Sequence, residues 1–420
     1  MLELPKYSLG IGDRFGGQGF AQLEAIIRAK ESGIIIAPVW NKSHREHGIT
    51  GTEPGDVRYE AKESVRVKGW REPYFTDADH INLTNVRGFI PSSDFFTLDV
   101  ADAIGTPSDE VSLDAFVERH SNLTKQDIEL QIEGSTISFT EQDLREIGTK
   151  YLSAVNQVRE IYEFIRTKKG EGTFITEVSM DETDTPQTPK ELLVILAELA
   201  HQGVPVQTIA PKFTGDFFKG IDYVGDKTKF RQEFRQDLAV INYAIKHFGL
   251  PKNLKLSVHS GSDKFSLYPI MRTAMDEFDA GVHLKTAGTT WLEEVIGLAE
   301  SDGEGLKIAK EIYRNSYKRI DELSEPYLSV IDIDKTSLPN PMDVDRWTSD
   351  QFTSALRHDQ SNEGYNKDLR QLIHIGYKIA VEMGDRFYTA LDDNKEVIAK
   401  NVTENLYGRH IKPLFLKEAA

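Results

Sequence analysis

The sequence predicts a (β/α)8 barrel, and three observations lead to that prediction. Strand-like and helix-like segments alternate along the 420 residues, which is typical of a parallel sheet whose strands are joined by helices. About eight segments resemble strands, and eight is the number that closes such a barrel. Several of them end in a histidine or a carboxylate, as barrel strands do when they deliver side chains to a site. We therefore predict one barrel domain over residues 1–420, with an inserted subdomain at about 85–170 after the third strand and extra C-terminal helices.

The predicted strands are short apolar segments bounded by turn residues. In chain order they are Lys6–Gly12, Ile34–Trp40, Pro73–Asp77, Thr173–Met180, Val206–Phe213, Leu254–His259, Val282–Thr286 and Tyr327–Ile333. Apolar residues at helical spacing predict helices at Phe20–Ser32, Pro189–His201, Lys229–Phe248, Leu267–Ala280, Ser349–Leu356 and Asp368–Phe387. The polar segment Asn41–Gly69 is predicted to be a rim loop. Within the insertion we expect a hairpin at 128–139 and a helix at 153–168.

The composition excludes several classes of function. Lys and Arg number 50 against 67 Asp and Glu, a net charge of −17, so the chain is a poor candidate for binding nucleic acid or an anionic membrane. It has no cysteine, which excludes disulfides, thiolate metal sites and cysteine nucleophiles. It shows neither a signal-peptide pattern nor an apolar run near the roughly 18 residues of a membrane helix. We expect a cytoplasmic protein with a small-molecule partner, and the sequence leaves open a homo-oligomer.

Two predicted strand ends carry a histidine. The first, in Tyr74–His80, places Asp79 directly before His80, which suggests a base beside a metal ligand; a polar turn that caps a short helix is the alternative. The second ends in His259 and continues into Ser260-Gly-Ser262, which puts an imidazole at the carboxyl-end rim. Ser260, Ser262 and the backbone amides of this turn could hold an anionic or hydroxylated ligand. A half-buried His259 bonded to a backbone carbonyl is the alternative.

Carboxylates near other strand ends could complete the site. An inward Glu177 on the fourth predicted strand is costly unless it has a task, so we favour it as a general acid–base residue, with Glu182 as the less buried alternative. Asp226 precedes a predicted helix and could complete a set of two histidines and one carboxylate, which suits Mn, Fe, Co, Ni or Zn. An aspartate at the start of that helix is almost equally consistent with an N-cap.

The remaining candidates are substrate-binding residues. Val282–Thr290 ends a strand in a small-residue loop that opens a helix, a turn that binds anions through its amides, with His283, Lys285 and Thr286 in reach. The glycine-rich segment Gly10–Gly19 lacks the dinucleotide-binding and Walker A spacings, so we interpret it as a barrel loop with Asp13 and Arg14 at the rim. Further cationic candidates near strand ends are Lys212, Arg357 and His358.

Five segments together resemble the tagaturonate epimerase family of bacterial hexuronate catabolism. They are Tyr7–Phe15, Asp77–His80, Leu254–Phe265, His283–Glu294 and Leu356–His358. The resemblance implies a metal-dependent isomerase that interconverts D-tagaturonate and D-fructuronate; some relatives also act on tagatose and fructose. It further implies that a divalent cation (Zn, Mn, Ni, Co or Fe) is held by His80, Asp226 and His259. Asp79 would be the proton acceptor and a carboxylate of Glu177–Glu182 the donor. The same strand ends are more distantly similar to class II aldolases.

The chemistry of these two uronates restricts the mechanism. They differ at C4, which is not adjacent to the C2 ketone or the C6 carboxylate, so we expect retro-aldol cleavage of the C3–C4 bond and re-addition to the other face. Transient oxidation by a nicotinamide is the alternative, against which the missing dinucleotide motif counts. A class II-type aldolase on a sugar acid and a non-catalytic sugar-acid-binding protein remain alternatives. We expect Lys285 or Arg357 to bind the substrate carboxylate.

Overall fold

Eight parallel strands close into a barrel in the computed structural model, which describes residues 1–286 and 288–416. Numbered along the chain, they are β1 (Tyr7–Gly12), β2 (Ala37–Ser43), β3 (Phe75–Ile81), β4 (Phe95–Asp99), and, after a small hairpin, β7 (Ile175–Ser179), β8 (Thr208–Ala210), β9 (Lys255–His259) and β10 (Val282–Lys285). Each strand pairs with the next in this order, and β10 pairs with β1. The (β/α)8 barrel predicted from the sequence is confirmed.

The identity of one strand was predicted wrongly. Tyr327–Ile333 forms no strand: it begins in a 3-10 turn and continues as half-exposed chain in the C-terminal layer. The strand that was not predicted from the sequence is β4, which pairs with β3 and β7 and is buried on both faces. Tyr327 is buried and Val330, Ile331 and Ile333 pack partly buried against the hydrophobic core, while the closed barrel leaves no sheet edge for them to join. The insertion therefore follows the fourth strand and not the third.

Helices fill the connections and add a C-terminal layer. Around the barrel lie α1 (Gly19–Glu31), α2 (His44–Thr50), α3 (Pro54–Lys68), α4 (Val86–Phe89), α7 (Pro189–His201), α8 (Lys227–Phe248), α9 (Tyr268–Phe278) and α10 (Thr289–Glu300). The insertion consists of α5 (Glu110–His120), the hairpin β5 (Ile128–Glu129) and β6 (Thr136–Ile137), and α6 (Glu141–Lys169). The C-terminal layer contains α11 (Gly303–Lys318), α12 (Ile320–Ser324), α13 (Pro341–Val344), α14 (Ser349–Leu356), α15 (Lys367–Ile375), α16 (Tyr377–Glu382), α17 (Asp385–Asp393), α18 (Lys395–Glu404) and α19 (Lys412–Phe415). No helix of the described residues is long and apolar enough to cross a membrane.

The predicted rim loop at 41–69 is wrong, because the segment holds α2 and α3. Both helices begin with a reciprocal capping box, in which Ser43 pairs with Glu46 and Glu53 with Asp56. Only two residues of α3, Ala61 and Ser64, are buried. The segment therefore lacks an apolar stripe, which is why its composition resembled that of a loop.

The barrel interior changes character along its axis. Toward the amino ends of the strands it is apolar, with a cluster that includes Val39, Phe75, Phe95 and Ile175. Toward the carboxyl ends, residues on the same inward faces are charged or polar. They are Asp77, Thr97, Glu177, His259 and Lys285. Because parallel strands present all their carboxyl ends at one mouth, these side chains converge there.

Candidate functional site

Two strands and one turn bring His80, Asp181 and His259 together at the barrel mouth. One ligand atom from each of the three side chains lies within 4.8 Å of the others. His80 reaches this position from an irregular point of β3, where the pairing with β4 shifts register and φ of His80 is 50°. Such a conformation costs a non-glycine residue on the order of 1–3 kcal/mol and persists where the surroundings enforce it. Asp181 lies two residues beyond the end of β7.

Each of the two imidazoles is held by a carboxylate on one ring nitrogen. His80 Nδ1 lies 3.3 Å from Asp99 Oδ2, and His259 Nε2 lies 2.9 Å from Glu177 Oε1. The other nitrogen of each ring, His80 Nε2 and His259 Nδ1, is left to face the mouth. His259 Nδ1 lies 3.1 Å from Asp181 Oδ1. A carboxylate behind each ligand histidine is the arrangement that orients imidazoles in metal sites.

The charge around the two rings favours a bound cation. Burial opposes a charge on His80, but the nearby carboxylates, Asp79 above all, outweigh it and raise its pKa to about 10. Burial likewise opposes a charge on His259, yet Asp181 and Glu177 raise its pKa to about 9. The surroundings thus attract positive charge, and two imidazoles with one carboxylate suit a divalent transition metal. His80, Asp181 and His259 are the side chains that could hold one.

A lysine occupies the centre of the carboxylate cluster. Lys285 Nζ lies 2.7 Å from Asp77 Oδ2, 2.8 Å from Asp79 Oδ1 and 3.1 Å from Glu177 Oε1. Burial alone would raise the pKa of Asp79, but Lys285 and His80 hold it at about 2. For Asp77 the effect of burial prevails over Lys285, and its pKa is raised to about 7. One buried carboxylate is therefore ionised beside another that holds a proton near neutral pH.

The two predicted acid–base glutamates lie in different environments. Glu177 is fully buried, and its Oε1 contacts His259, Lys285 and Thr97. Burial would raise the pKa of Glu177, but Lys285 and His259 hold it well below the usual value. Glu182 is exposed on the turn after β7. Glu177 thus supports the histidine and the lysine, whereas Glu182 is open to solvent at the mouth.

Asp226 is not among the side chains that the structure brings together with His80 and His259. It is exposed at the N-cap of α8, where its carboxylate accepts hydrogen bonds from the backbone N–H groups of Thr228 and Lys229. The carboxylate that lies with the two histidines in the structure is that of Asp181. An aspartate that caps a helix and an aspartate that binds a metal can occur in the same local sequence, so only the fold distinguishes them.

Several predicted substrate-binding side chains join the strand ends to one another. Ser260 Oγ donates to the carbonyl of Lys285, and Thr286 Oγ1 donates to that of Gly10. Ser262 Oγ accepts from the backbone N–H of Gly220.

Asp13 and His283 also bind within the chain. The Asp13 carboxylate accepts the backbone N–H groups of residues 15 to 18 and so fixes the loop after β1. His283 lies deeper in the barrel, with Nδ1 2.9 Å from Ser8 Oγ, and burial lowers its pKa to about 3.

The predicted cations are distributed over three places. Arg14 is buried at the rim, 2.9 Å from Glu46 Oε1, and Lys212 is half-buried in the loop after β8. Lys285 is enclosed by carboxylates at the barrel centre. Arg357 lies half-exposed beside Glu300, the last residue of α10, and therefore at the far end of that helix from the mouth.

Asp77, Asp99 and Asp181 were not singled out as site residues from the sequence, although Asp181 lies within the Glu177–Glu182 segment that was expected to supply the proton donor. A signal existed for two of them, because alternation puts Asp77 on the face of Asp79 and Asp181 on that of Glu177. Asp99 was missed together with its strand, β4.

A barrel that gathers acid–base groups and a His–Asp–His set at the carboxyl ends of its strands defines an enzyme of the (β/α)8 class. The model of the tagaturonate epimerase family (UxaE) matches residues 1–414. The chain therefore belongs to the tagaturonate epimerase family, and it is an isomerase of the epimerase type.

Individual relatives agree with this assignment. A tagaturonate/fructuronate epimerase of Thermotoga maritima is 30% identical over 96% of this chain and 80% of its own length. The native crystal structure of the fructuronate-tagaturonate epimerase of Cohnella laeviribosi matches with a TM-score of 0.81 and 25% identity, over 99% of this chain and 83% of that one. A glycerol complex of the same protein has the same fold, with a TM-score of 0.82 and 24% identity over 99% and 82% of the two chains.

Proposed function

We propose that this enzyme interconverts D-tagaturonate and D-fructuronate by inverting C4 of the ketohexuronate. The observation that carries the proposal is the position of the His80–Asp181–His259 set beside the ionised Asp79 at one barrel mouth. The family description and the names of the relatives support these two uronates as substrates. Neutral tagatose and fructose remain proposed secondary substrates.

His80 Nε2, His259 Nδ1 and Asp181 would hold a divalent cation, with Zn, Mn, Ni, Co and Fe as candidates. When bound, the cation would supply Lewis-acid stabilisation to the C2 carbonyl and a neighbouring hydroxyl. Three protein ligands leave positions open for substrate oxygens, which suits a catalytic site better than a structural one.

The protein's own side chains would accept and return the proton of the C4 hydroxyl. Asp79 Oδ1 is occupied by Lys285, so Oδ2 is the atom that would accept the proton of the C4 hydroxyl as the C3–C4 bond breaks. Lys285 also lies 2.7 Å from Asp77 Oδ2, so its ammonium links the two carboxylates and holds Asp79 in place. After the aldehyde fragment rotates, the bond forms again on its other face, and Asp79 returns the proton to the inverted oxygen.

Product analysis tests the proposal and separates it from its alternatives. Metal-loaded protein is incubated with D-fructuronate and, separately, with D-fructose, and the products are resolved by chromatography. We expect C4 epimers and no accumulation of three-carbon fragments, with His259→Ala as the inactive control. Free fragments would favour an aldolase instead, and unchanged D-fructuronate would overturn the proposed function.

A further inference from the structure

Three cations and two tyrosine rings form a cluster beside the mouth. The Arg14 guanidinium lies 4.1 Å from the centre of the Tyr377 ring, and that of Arg45 lies 4.8 Å from the centre of the Tyr327 ring. Lys219 Nζ lies 5.8 Å from the same Tyr327 ring, and the two tyrosine hydroxyls are 3.1 Å apart. We call Arg14, Arg45, Lys219, Tyr327 and Tyr377 the rim cation cluster.

The three cations stand at the same end of the barrel as the His–Asp–His set. Arg14 lies two residues beyond β1, Arg45 two residues beyond β2, and Lys219 in the loop that leaves β8. The Lys219 loop is tied to the turn after His259, because the backbone N–H of Gly220 donates to Ser262 Oγ over 2.8 Å.

The same loop is also fixed to the C-terminal layer. The backbone N–H of Lys219 donates to the carbonyl of Val330, and the carbonyl of Gly220 accepts from Arg370 Nε. The position of the Lys219 backbone is therefore set by contacts that do not involve its own side chain.

The cluster carries more positive charge than its neighbours neutralise. Arg14 has a carboxylate partner in Glu46, and Arg45 donates to the carbonyl of Pro326. Among the described residues, Lys219 has no ion-pair partner within 4.0 Å, although it is half-buried. Burial, Arg45 and Arg14 lower the pKa of Lys219, and the more distant carboxylates Glu46 and Glu182 offset this only in part.

A buried histidine lies in the same region, where positive charge lacks anionic partners. His374 is fully buried, and neither ring nitrogen has a hydrogen-bond partner among residues 1–286 and 288–416. Its carbonyl accepts from Arg14 Nη1, and burial together with Arg14 and Lys219 lowers its pKa well below the usual range. Although the chain as a whole has a net charge of −17, this locally positive region would stabilise an anionic group at the mouth.

We propose that the rim cation cluster binds the substrate's carboxylate and that Lys219, as its unpaired cation, discriminates a uronate from a neutral ketose. The proposal rests on the proposed function, and it assigns the discrimination to a residue other than Lys285 or Arg357. Lys285 is already surrounded by three carboxylates, and Arg357 lies at the far end of α10. A lysine ammonium acts on a carboxylate as a point charge, so an arginine at the same position would retain much of the effect.

The test compares Lys219→Met and Lys219→Arg with the wild type. The matched control is Lys227→Met, which removes an exposed lysine at the start of α8. Calorimetry on metal-loaded protein gives the apparent Kd for D-fructuronate and for D-fructose, and turnover assays give kcat and KM. We expect Lys219→Met to weaken D-fructuronate binding about 30-fold, equivalent to about 2 kcal/mol, and to weaken D-fructose binding far less. Lys219→Arg should recover most of the loss, and Lys227→Met should behave as the wild type.

The outcomes separate this inference from the proposed function. If the wild type epimerises the uronate and Lys219→Met loses affinity for both sugars equally, or for neither, the inference is overturned and the function stands. If the wild type binds the uronate through Lys219 but forms no C4 epimer, the function is overturned and the carboxylate site stands. No uronate binding by the wild type overturns both.

Discussion

The last residue of β9 and the turn that follows it carry two charged side chains in opposite situations. His259 faces the mouth with Glu177 and Asp181 beside its two ring nitrogens, and a divalent ion would fit there. Four residues later, Asp263 points into the C-terminal layer, where Arg370 Nη2 donates to it over 2.6 Å and His358 Nδ1 lies 3.1 Å away. Thr289 donates to its second oxygen. One short motif therefore supplies a functional group on one side and a structural anchor on the other.

The difference lies in whether the charges are satisfied within the chain. Burial would raise the pKa of Asp263, but Arg370 and His358 hold it well below the usual range. The other Arg370 nitrogens donate to the carbonyls of Gly220 and Leu356, so a closed network joins three segments. We call the network around His259 open, because it borders the mouth and is the place where the proposed cation would bind. Open and closed networks should respond differently to substitution.

Removal of the metal ligands should have the largest effect. We expect His80→Ala and His259→Ala to lose bound metal and to reduce turnover to background, because each removes one of the three side chains proposed to hold the cation. Stripping the wild type with a chelator should do the same, and adding metal back should restore activity. Elemental analysis and turnover assays measure both effects. Full activity of exhaustively stripped protein would show that the open network needs no cation.

Asp79→Asn should give the next largest effect, with the metal retained. The amide cannot accept the C4 hydroxyl proton, and a general base contributes typically ~10²–10⁴-fold. We expect kcat to fall by that factor while metal content and melting temperature stay close to those of the wild type. Asp99→Asn is the comparison variant, since it weakens the support of His80 and should lower metal affinity as well. A wild-type kcat in Asp79→Asn would move the base elsewhere, with Glu182 as the next candidate.

Substitutions in the closed network around Asp263 should change the free energy of unfolding rather than the chemistry at the mouth. Arg370→Met leaves Asp263 buried without its main cation, which costs about 3–5 kcal/mol in the free energy of unfolding. The double variant Arg370→Met/Asp263→Asn should recover part of that loss, because the uncompensated charge is also gone. Urea unfolding measures both. If the double variant were as unstable as the sum of the single variants, the two side chains would not act as a pair.

The sequence predicted the barrel because alternation and strand ends are local signals. It missed β4 because Phe95–Asp99 lies within a region of broken periodicity, while Tyr327–Ile333 resembles a strand in composition but packs outside the closed sheet. His80 and His259 were predicted because both end apolar strands. Asp181 could not be separated from Asp226 in the same way. Its role depends on how the turn after β7 folds toward β9, and on α8 using Asp226 as its cap.

Glu293, a neighbour of the closed network, should give a smaller effect that depends on pH. Its Oε1 accepts from Asn405, and burial raises its pKa from the usual 4.5 to about 7 despite the opposing charge of Arg370. Between these two values the folded chain holds a proton that the unfolded chain has lost, so stability falls as pH rises through this window. The contribution is at most about 3 kcal/mol. Glu293→Gln should remove it, so urea unfolding should show the variant losing less stability than the wild type between pH 4.5 and 7.5. Equal losses would mean that Glu293 is ionised in the folded protein.

The smallest effect is expected at Arg357, which the sequence suggested as a carboxylate-binding residue. Its guanidinium pairs with Glu300 and Asn401, and the side chain is 37% exposed. Exposed pairs contribute about 0–1 kcal/mol, so Arg357→Met should change the free energy of unfolding by no more than that. Because Arg357 lies at the opposite end of α10 from the mouth, the ratio of kcat/KM for D-fructuronate to that for D-fructose should stay as in the wild type. A selective loss of uronate turnover in Arg357→Met would break the contrast between the two ends of the barrel, since a side chain outside the mouth would then recognise the substrate.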